Sequence, residues 1–149
     1  MAGATFEWDW DHVETELERL LDRNHDYAPA WQKVAIQAER SVGMNFRAQG
    51  RPAKWAPLKP KTLASRRLRG KGGKILQDNG PLKASVTANA AIKRITAQKM
   101  EYGTNLVYAA THQFGRGRIP ARPFLRWQDA DLEIAKRIFM EHLRQGGGI

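Results

Sequence analysis

The stretch that most constrains the fold is residues 108–127, YAATHQFGRGRIPARPFLRW. It contains four arginines, one histidine, two prolines, two glycines and no acidic residue. Pro120 and Pro123 each hold φ near about −65° and push the preceding residue toward an extended conformation. We therefore expect residues 119–125 to form a stiff, extended segment rather than a hinge.

The residues around this segment fall into a structural group and a surface group. Gly115 and Gly117 permit a sharp turn before it, and the aromatic side chains can anchor it to the core. The predicted structural residues are Gly115, Pro120, Pro123, Phe124 and Trp127. The arginines are expected to face outward or toward a neighbour, because a planar guanidinium pairs well with carboxylates. With the one histidine they form a candidate subunit or partner interface: Arg116, Arg118, Arg122, Arg126 and His112.

Apolar residues recur at helical spacing in three other parts of the chain. They predict helices over residues 9–23, 29–47 and 128–144. The buried stripe of the second helix is expected to contain Trp31, Val34, Ala35, Ala38, Val42 and Phe46. The inward face of the last helix is expected to contain Ala130, Ile134, Ala135, Ile138, Phe139 and Leu143.

Shorter segments predict a small sheet. Residues 82–89 and 91–97 are expected to be strands joined by a tight turn at 89–90, and residues 99–102 a third strand. Residues 108–112 fit either a fourth strand or a short helix.

The order of these elements predicts an α+β fold, with a small antiparallel or mixed sheet packed by N-terminal and C-terminal helices. We expect one domain over residues 1–149, with a flexible tail at 146–149.

Charge is unevenly distributed along a chain whose net charge is +10. The first 26 residues carry eight acidic residues against two arginines, whereas residues 40–77 contain no acidic residue. Residues 48–80 are expected to be mostly irregular, with a short helix over 62–68. Overlapping this range, we predict a basic loop at 47–74 that becomes ordered only on assembly and faces DNA or an acidic neighbour. The basic residues assigned to this role are Arg51, Lys54, Lys59, Lys61, Arg66, Arg67, Arg69, Lys71 and Lys74.

Several kinds of site lack support in the sequence. The chain has no cysteine, and its histidines (His12, His25, His112 and His142) do not have the spacing of a zinc motif. There is no GxSxG motif and no phosphate-binding loop in a strand–loop–helix context. We therefore assign no catalytic residue, metal or cofactor, and we interpret His112 as a structural residue rather than a catalyst.

The sequence also lacks the signals of an exported or membrane protein. The N-terminus does not resemble a signal peptide, and no apolar run approaches membrane-spanning length. We expect a protein that does not contact membranes and is made in the cytoplasm. The sequence contains no recognisable module for specific nucleic-acid binding, although non-specific contact with DNA remains open.

Taken together, several motifs resemble one family. GTNLVYAATHQFG at 103–115 followed by IPARPFL at 119–125 is similar to the phage virion morphogenesis family, which includes the Mu-like protein G and tail-completion protein S groups. The WAPL, KTL, ILQDNG and PLKASV motifs occur upstream in the same order. The resemblance covers residues 43–135.

The resemblance implies a structural virion protein rather than an enzyme, assembled in the host cytoplasm. It implies a homo-oligomeric ring at the head–tail junction, a hexamer by the symmetry of relatives, acting as a tail terminator or completion factor. Its partners would be tail tube and sheath or head connector proteins, with possible non-specific contact with packaged DNA. The alternatives are a head-completion adaptor or stopper on the portal, a non-specific DNA-binding protein, and a phage-encoded hydrolase.

Overall fold

The fold is α+β, as predicted, in a computed structural model that describes residues 4–7, 26–88 and 92–146. These residues form the helices α1 (Ala28–Ala48), α2 (Pro60–Leu68), α3 (Pro81–Thr87), α4 (Ala109–Phe114) and α5 (Asp129–Gly146). They also form the strands β1 (Ala4–Glu7), β2 (Ile92–Ile95) and β3 (Met100–Thr104). No helix within the described ranges is long and apolar enough to cross a membrane.

Helix α1 is the central element of the core. Pro29 lies in its first turn, where a missing N–H is tolerated. The predicted apolar stripe is buried along its whole length, which confirms the prediction of a helix over 29–47. Ser41 and Asn45 are buried on the same face. The helix ends at Ala48, and its C-cap residue Gln49 adopts a left-handed conformation with φ of 55°.

Helix α5 packs against α1 through aromatic contacts. The ring centroids of Trp31 and Phe139 are 4.7 Å apart in an edge-to-face arrangement, a favourable geometry for aromatic pairs. Five of the six residues predicted to face inward are buried or half-buried. Ala130 is exposed, contrary to prediction, because the neighbouring Asp131 turns inward and bonds to side chains of α1.

The sheet has three antiparallel strands in the order β1-β3-β2. Tyr102 of β3 is paired on one side with Phe6 and on the other with Lys93. Its ring is buried, and its hydroxyl donates a hydrogen bond to the carbonyl of Val86. Burial raises the pKa of this hydroxyl, an effect to which Glu39 adds. The strands predicted at 91–97 and 99–102 are confirmed.

The strand predicted over residues 82–89 is wrong, because Pro81–Thr87 forms helix α3. Pro81 lies in the first turn of this helix, directly after Gly80 with φ of 93°. Leu82 and Val86 are both buried, and their spacing of four suits a helix as well as an alternating strand. The ambiguous segment 108–112 also proves to be helical, since it lies mostly within α4.

The basic segment 47–74 is more ordered than predicted. It contains α2, which confirms the short helix expected over 62–68. Arg66 of α2 is 7% exposed, and its Nη1 donates to the carbonyl of Lys74 at 2.6 Å. These contacts form within one chain, so the expectation that the segment becomes ordered only on assembly is wrong for residues 66–74. The helix predicted at 9–23, the turn at 89–90 and residues 147–149 of the tail lie outside the described residues.

Candidate assembly surface around residues 119–127

The segment 119–127, which we call the strut, precedes α5 and is held by a glutamine of α4. Gln113 Oε1 accepts hydrogen bonds from the backbone N–H groups of Phe124 and Leu125, each at 3.0 Å. Gln113 Nε2 donates to the carbonyl of Leu125 at 3.2 Å. One carboxamide thus satisfies backbone donors and an acceptor of a segment that lies outside any helix or strand.

A second amide holds the strut from the opposite side. Asn45 of α1 donates through Nδ2 to the carbonyls of Phe124 at 2.8 Å and Arg126 at 2.9 Å. Trp55 adds a hydrogen bond from its indole Nε1 to the carbonyl of Pro123 at 3.1 Å. Phe124 itself is fully buried. The strut is therefore rigid because separate parts of the chain bind its backbone.

Arg51 is part of this support rather than of a free surface. Its Nε donates to Asn45 Oδ1 and its Nη2 to the carbonyl and hydroxyl of Ser41, all at 2.8 Å. The Ser41 hydroxyl donates in turn to Asp131 Oδ2. Arg51 was expected to face DNA or an acidic neighbour, but its guanidinium donates hydrogen bonds to side-chain and backbone atoms of its own chain.

Arg122 also departs from the expectation that it faces outward, since only 7% of it is exposed. Its Nε and Nη2 donate to the carbonyls of Ala56 and Pro57 at 2.8 and 3.0 Å. No carboxylate within the described residues forms an ion pair with it. Burial lowers the pKa of Arg122, and the nearby charge of Arg66 lowers it further.

A cleft of about 570 Å³ lies between α2, the turn before α3, α4 and the strut. Arg66 and Arg122 are buried at its base, and Lys59 and Arg118 are exposed at its edge. Its apolar lining includes Leu58, Leu76, Leu82, Tyr108 and Ile119. The acidic side chain in the lining, Asp78, is already paired with Arg66 and Arg69, at 3.7 and 3.1 Å. The cleft therefore combines apolar walls with an excess of positive charge.

Large apolar side chains are exposed on either side of α4 and at the start of the strut. Val107 and Phe114 are 72% and 71% exposed, and Tyr108 and Ile119 are each 43% exposed. Of these residues, Tyr108 and Ile119 also line the cleft. Single exposed apolar residues are common on proteins, but two in the lining of one cleft support an interaction surface there.

The chain matches the phage virion morphogenesis family over residues 8–144, a range that includes the whole strut and the cleft. It belongs to that family. A curated relative, Mu-like prophage FluMu G protein 2 of Haemophilus influenzae, is 39% identical over 124 residues, covering 76% of this chain and 75% of the relative. No solved structure matches the chain. The family resemblance inferred from the sequence is thereby confirmed, together with a role in phage virion morphogenesis.

The other predicted site residues of this family member lie mostly at the surface. Exposed in the described chain are Lys54, Lys59, Lys61, Arg67, Arg69, Lys71, Lys74, Arg116, Arg118 and Arg126. Of the predicted structural residues, Pro123 and Trp127 are half-buried, whereas Pro120 is exposed. Within residues 4–7, 26–88 and 92–146, no group of three histidine or acidic side chains is placed to hold a metal ion.

Sequence reasoning missed the two amides that hold the strut. The sequence did indicate a hydrogen-bonding role for Asn45. It is a polar residue on the apolar stripe of α1, where an unpaired amide would be costly. Gln113 lies inside the HQFG motif, but nothing local indicates that its partners are eleven and twelve residues away.

His112 gives a pH-dependent prediction. Burial lowers its pKa, to which the charge of Arg122 adds, and its Nδ1 has no hydrogen-bond partner among the described residues. The folded state thus favours neutral imidazole. This contribution to stability is complete above the unfolded pKa of about 6.5 and is lost as the pH falls through the lower folded value.

We expect the wild type to lose more unfolding free energy between pH 7.5 and pH 5 than the His112→Asn variant does. Urea unfolding at both pH values measures the difference. The other three histidines are common to both proteins, so an equal loss in the two would contradict the assignment.

Proposed function

We propose that this protein is a tail-completion protein that forms a closed ring at the head–tail junction of a phage. The observation that carries the proposal is the family match, which spans nearly the whole chain. The rigid strut and the cleft beside it support it, because a preordered surface loses little conformational entropy on assembly. The mechanism is surface complementarity and ring closure, with no bond made or broken.

A ring requires a head-to-tail interface, in which two unlike surfaces of the same chain meet. This chain offers such a pair: a strongly acidic N-terminal stretch and the positively charged surface around the strut and α2. In this proposal a hexameric ring ends growth of the tail tube and presents a surface to the head connector. Packaged DNA could meet the exposed lysines and arginines of the 54–74 region.

The proposal predicts a specific defect in phage that lack the gene. We expect electron microscopy of the lysate to show full heads beside unattached tails of irregular or excessive length. Expression of the wild-type chain in the host should restore joined particles. Empty or leaking heads beside tails of normal length would instead place the protein on the head side, as a completion adaptor or stopper.

A second candidate, non-specific DNA binding by the free protein, is favoured by the net charge of +10. It predicts tight binding to naked DNA with a steep loss of affinity as salt rises, because bound cationic side chains release counterions from the phosphates. Normal particles in the absence of the gene, together with such binding, would favour this candidate over a neck protein.

A further inference from the structure

The base of the cleft holds more positive charge than the surrounding chain neutralises. Arg66 and Arg122 are both 7% exposed, and they are near enough for Arg66 to disfavour the charged form of Arg122. Asp78 pairs with Arg66 and Arg69, whereas Arg122 donates, among the residues that the structure describes, only to uncharged carbonyls. Buried charges are usually paired, so an anion entering the cleft would supply the missing partner.

The shape of the cleft favours a protein carboxylate over a nucleic-acid phosphate. Its walls are formed by leucines, Ile119 and the Tyr108 ring, which complement apolar side chains rather than a sugar–phosphate backbone. The two guanidiniums lie at the base, where a single flexible acidic side chain can reach but a rigid duplex cannot. The partner is therefore expected to be an acidic peptide segment that also carries apolar or aromatic residues.

The chain itself contains a segment of that composition. Residues 7–26, EWDWDHVETELERLLDRNHD, carry eight acidic residues against two arginines, with two tryptophans and four aliphatic residues between them. No comparable acidic excess occurs in the rest of the chain, where residues 40–77 contain no acidic residue at all. A second copy of the chain thus brings both the charge and the apolar side chains that the cleft lacks.

The described ends of the acidic stretch lie away from the cleft. The acidic stretch leaves the sheet at Glu7, which is paired with Glu101, and rejoins the described chain near Tyr27, whose N–H donates to the carbonyl of Ala97. Both points lie at the end of the sheet near the β2–β3 turn. The opposite end of β3, about 14 Å away for five residues, leads through Thr104 to the cleft.

We propose that the cleft beside the strut binds the acidic stretch 7–26 of a second copy of this chain, with Arg122 and Arg66 receiving its carboxylates. Repetition of this contact joins copies head to tail. The inference rests on the proposed self-assembly and names the surfaces that carry it.

The first test uses two complementary full-length variants. The cleft variant carries Lys59→Glu and Arg118→Glu, and the stretch variant carries Glu14→Lys, Glu16→Lys and Glu18→Lys. Sedimentation should show self-association of the wild type and monomers for each variant alone. Their mixture should give a one-to-one complex, because the intact cleft of one variant accepts the intact stretch of the other. Self-association of the cleft variant at the wild-type concentration, or a mixture that stays monomeric, would overturn the proposal.

The second test measures binding of the acidic stretch to the cleft directly and does not require a ring to form. A fluorescein-labelled peptide of residues 4–26 is titrated with the full-length protein, and its anisotropy is followed. We expect the cleft variant to bind at least tenfold more weakly than the wild type. Lys33→Glu with Arg137→Glu is the matched control, because it changes the charge equally at two exposed residues outside the cleft lining. It should stay within twofold of the wild type.

The remaining outcomes also decide the matter. Equal weakening in the cleft variant and the control would mean attraction by overall charge and would overturn the proposal, as would an absence of peptide binding by the wild type. Displacement of the peptide by duplex DNA at similar concentration would identify a phosphate site instead. These measurements are made in solution, so a tail defect in phage lacking the gene could still support the proposed function if the peptide failed to bind.

Discussion

Gly115→Ala is expected to lower the free energy of unfolding by about 3 kcal/mol or more. Gly115 has φ of 77° and ψ of 155°, a combination that is essentially restricted to glycine. An added Cβ would lie 2.8 Å from the backbone nitrogen of Ala121 and 3.1 Å from the carbonyl oxygen of Ile119. Both atoms belong to the strut region, so relief of the clash would require the strut to move away from α4. Urea unfolding monitored by tryptophan fluorescence would measure the loss.

Gly117→Ala is the matched control for this prediction. Gly117 also has positive φ, 56°, but an added Cβ would meet nothing within 4 Å. We expect its cost to be about 1 kcal/mol, the ordinary penalty of a left-handed conformation for an alanine. Equal losses in the two variants would show that backbone conformation alone matters, and would contradict the close packing of the turn against the strut.

The second large effect is expected for Asn45→Ala, which should lower the free energy of unfolding by about 4 kcal/mol. The substitution leaves the carbonyls of Phe124 and Arg126 without the donor that satisfies them. It also removes the acceptor of Arg51 Nε, in a region where polar groups are largely buried. Each buried group left unpaired costs about 1 to 3 kcal/mol. Thermal and urea denaturation of the full chain would measure the change.

Asn105→Ala provides the comparison for this residue type. Asn105 is exposed, and its replacement should change the free energy of unfolding by less than about 0.5 kcal/mol. A loss below about 1 kcal/mol for Asn45→Ala would mean that water or a neighbouring group replaces the amide. In that case the strut would depend mainly on Gln113 and Trp55.

The sequence predicted those helices and strands that are determined by the residues within the element and at its ends. Helix α1 was predictable because its apolar stripe is long and its bounding residues are typical of helix ends. The β2 and β3 strands were predictable because short segments with strand-like residue patterns are separated by a turn. Helix α3 was not, because Leu82, Ala84 and Val86 alternate like a strand over a segment too short to reveal a helical period.

In the candidate site, too, local features were predictable and contacts between distant parts of the chain were not. The prolines predicted a segment outside any helix after α4, since their restriction on φ acts within one or two residues. The direction of Arg122 could not be predicted, because it depends on two carbonyls some 65 residues earlier in the chain. For the same reason, nothing in the composition of residues 47–74 separates the inward-facing Arg51 and Arg66 from their exposed neighbours. A count of positive charges therefore overstated the basic surface of this region.

The hydrogen bonds that fix the strut have a consequence for the order of events in the cell. Asn45 and Phe124 are 79 residues apart, and Ser41 and Asp131 are 90 apart, so these contacts close very long loops. A chain still being synthesised has α1 and α2 long before it has the strut that completes the cleft. The surface that would receive another copy therefore comes into existence only when the last part of the chain has been made. Nascent chains crowded on one messenger RNA would be unable to join one another prematurely through this surface.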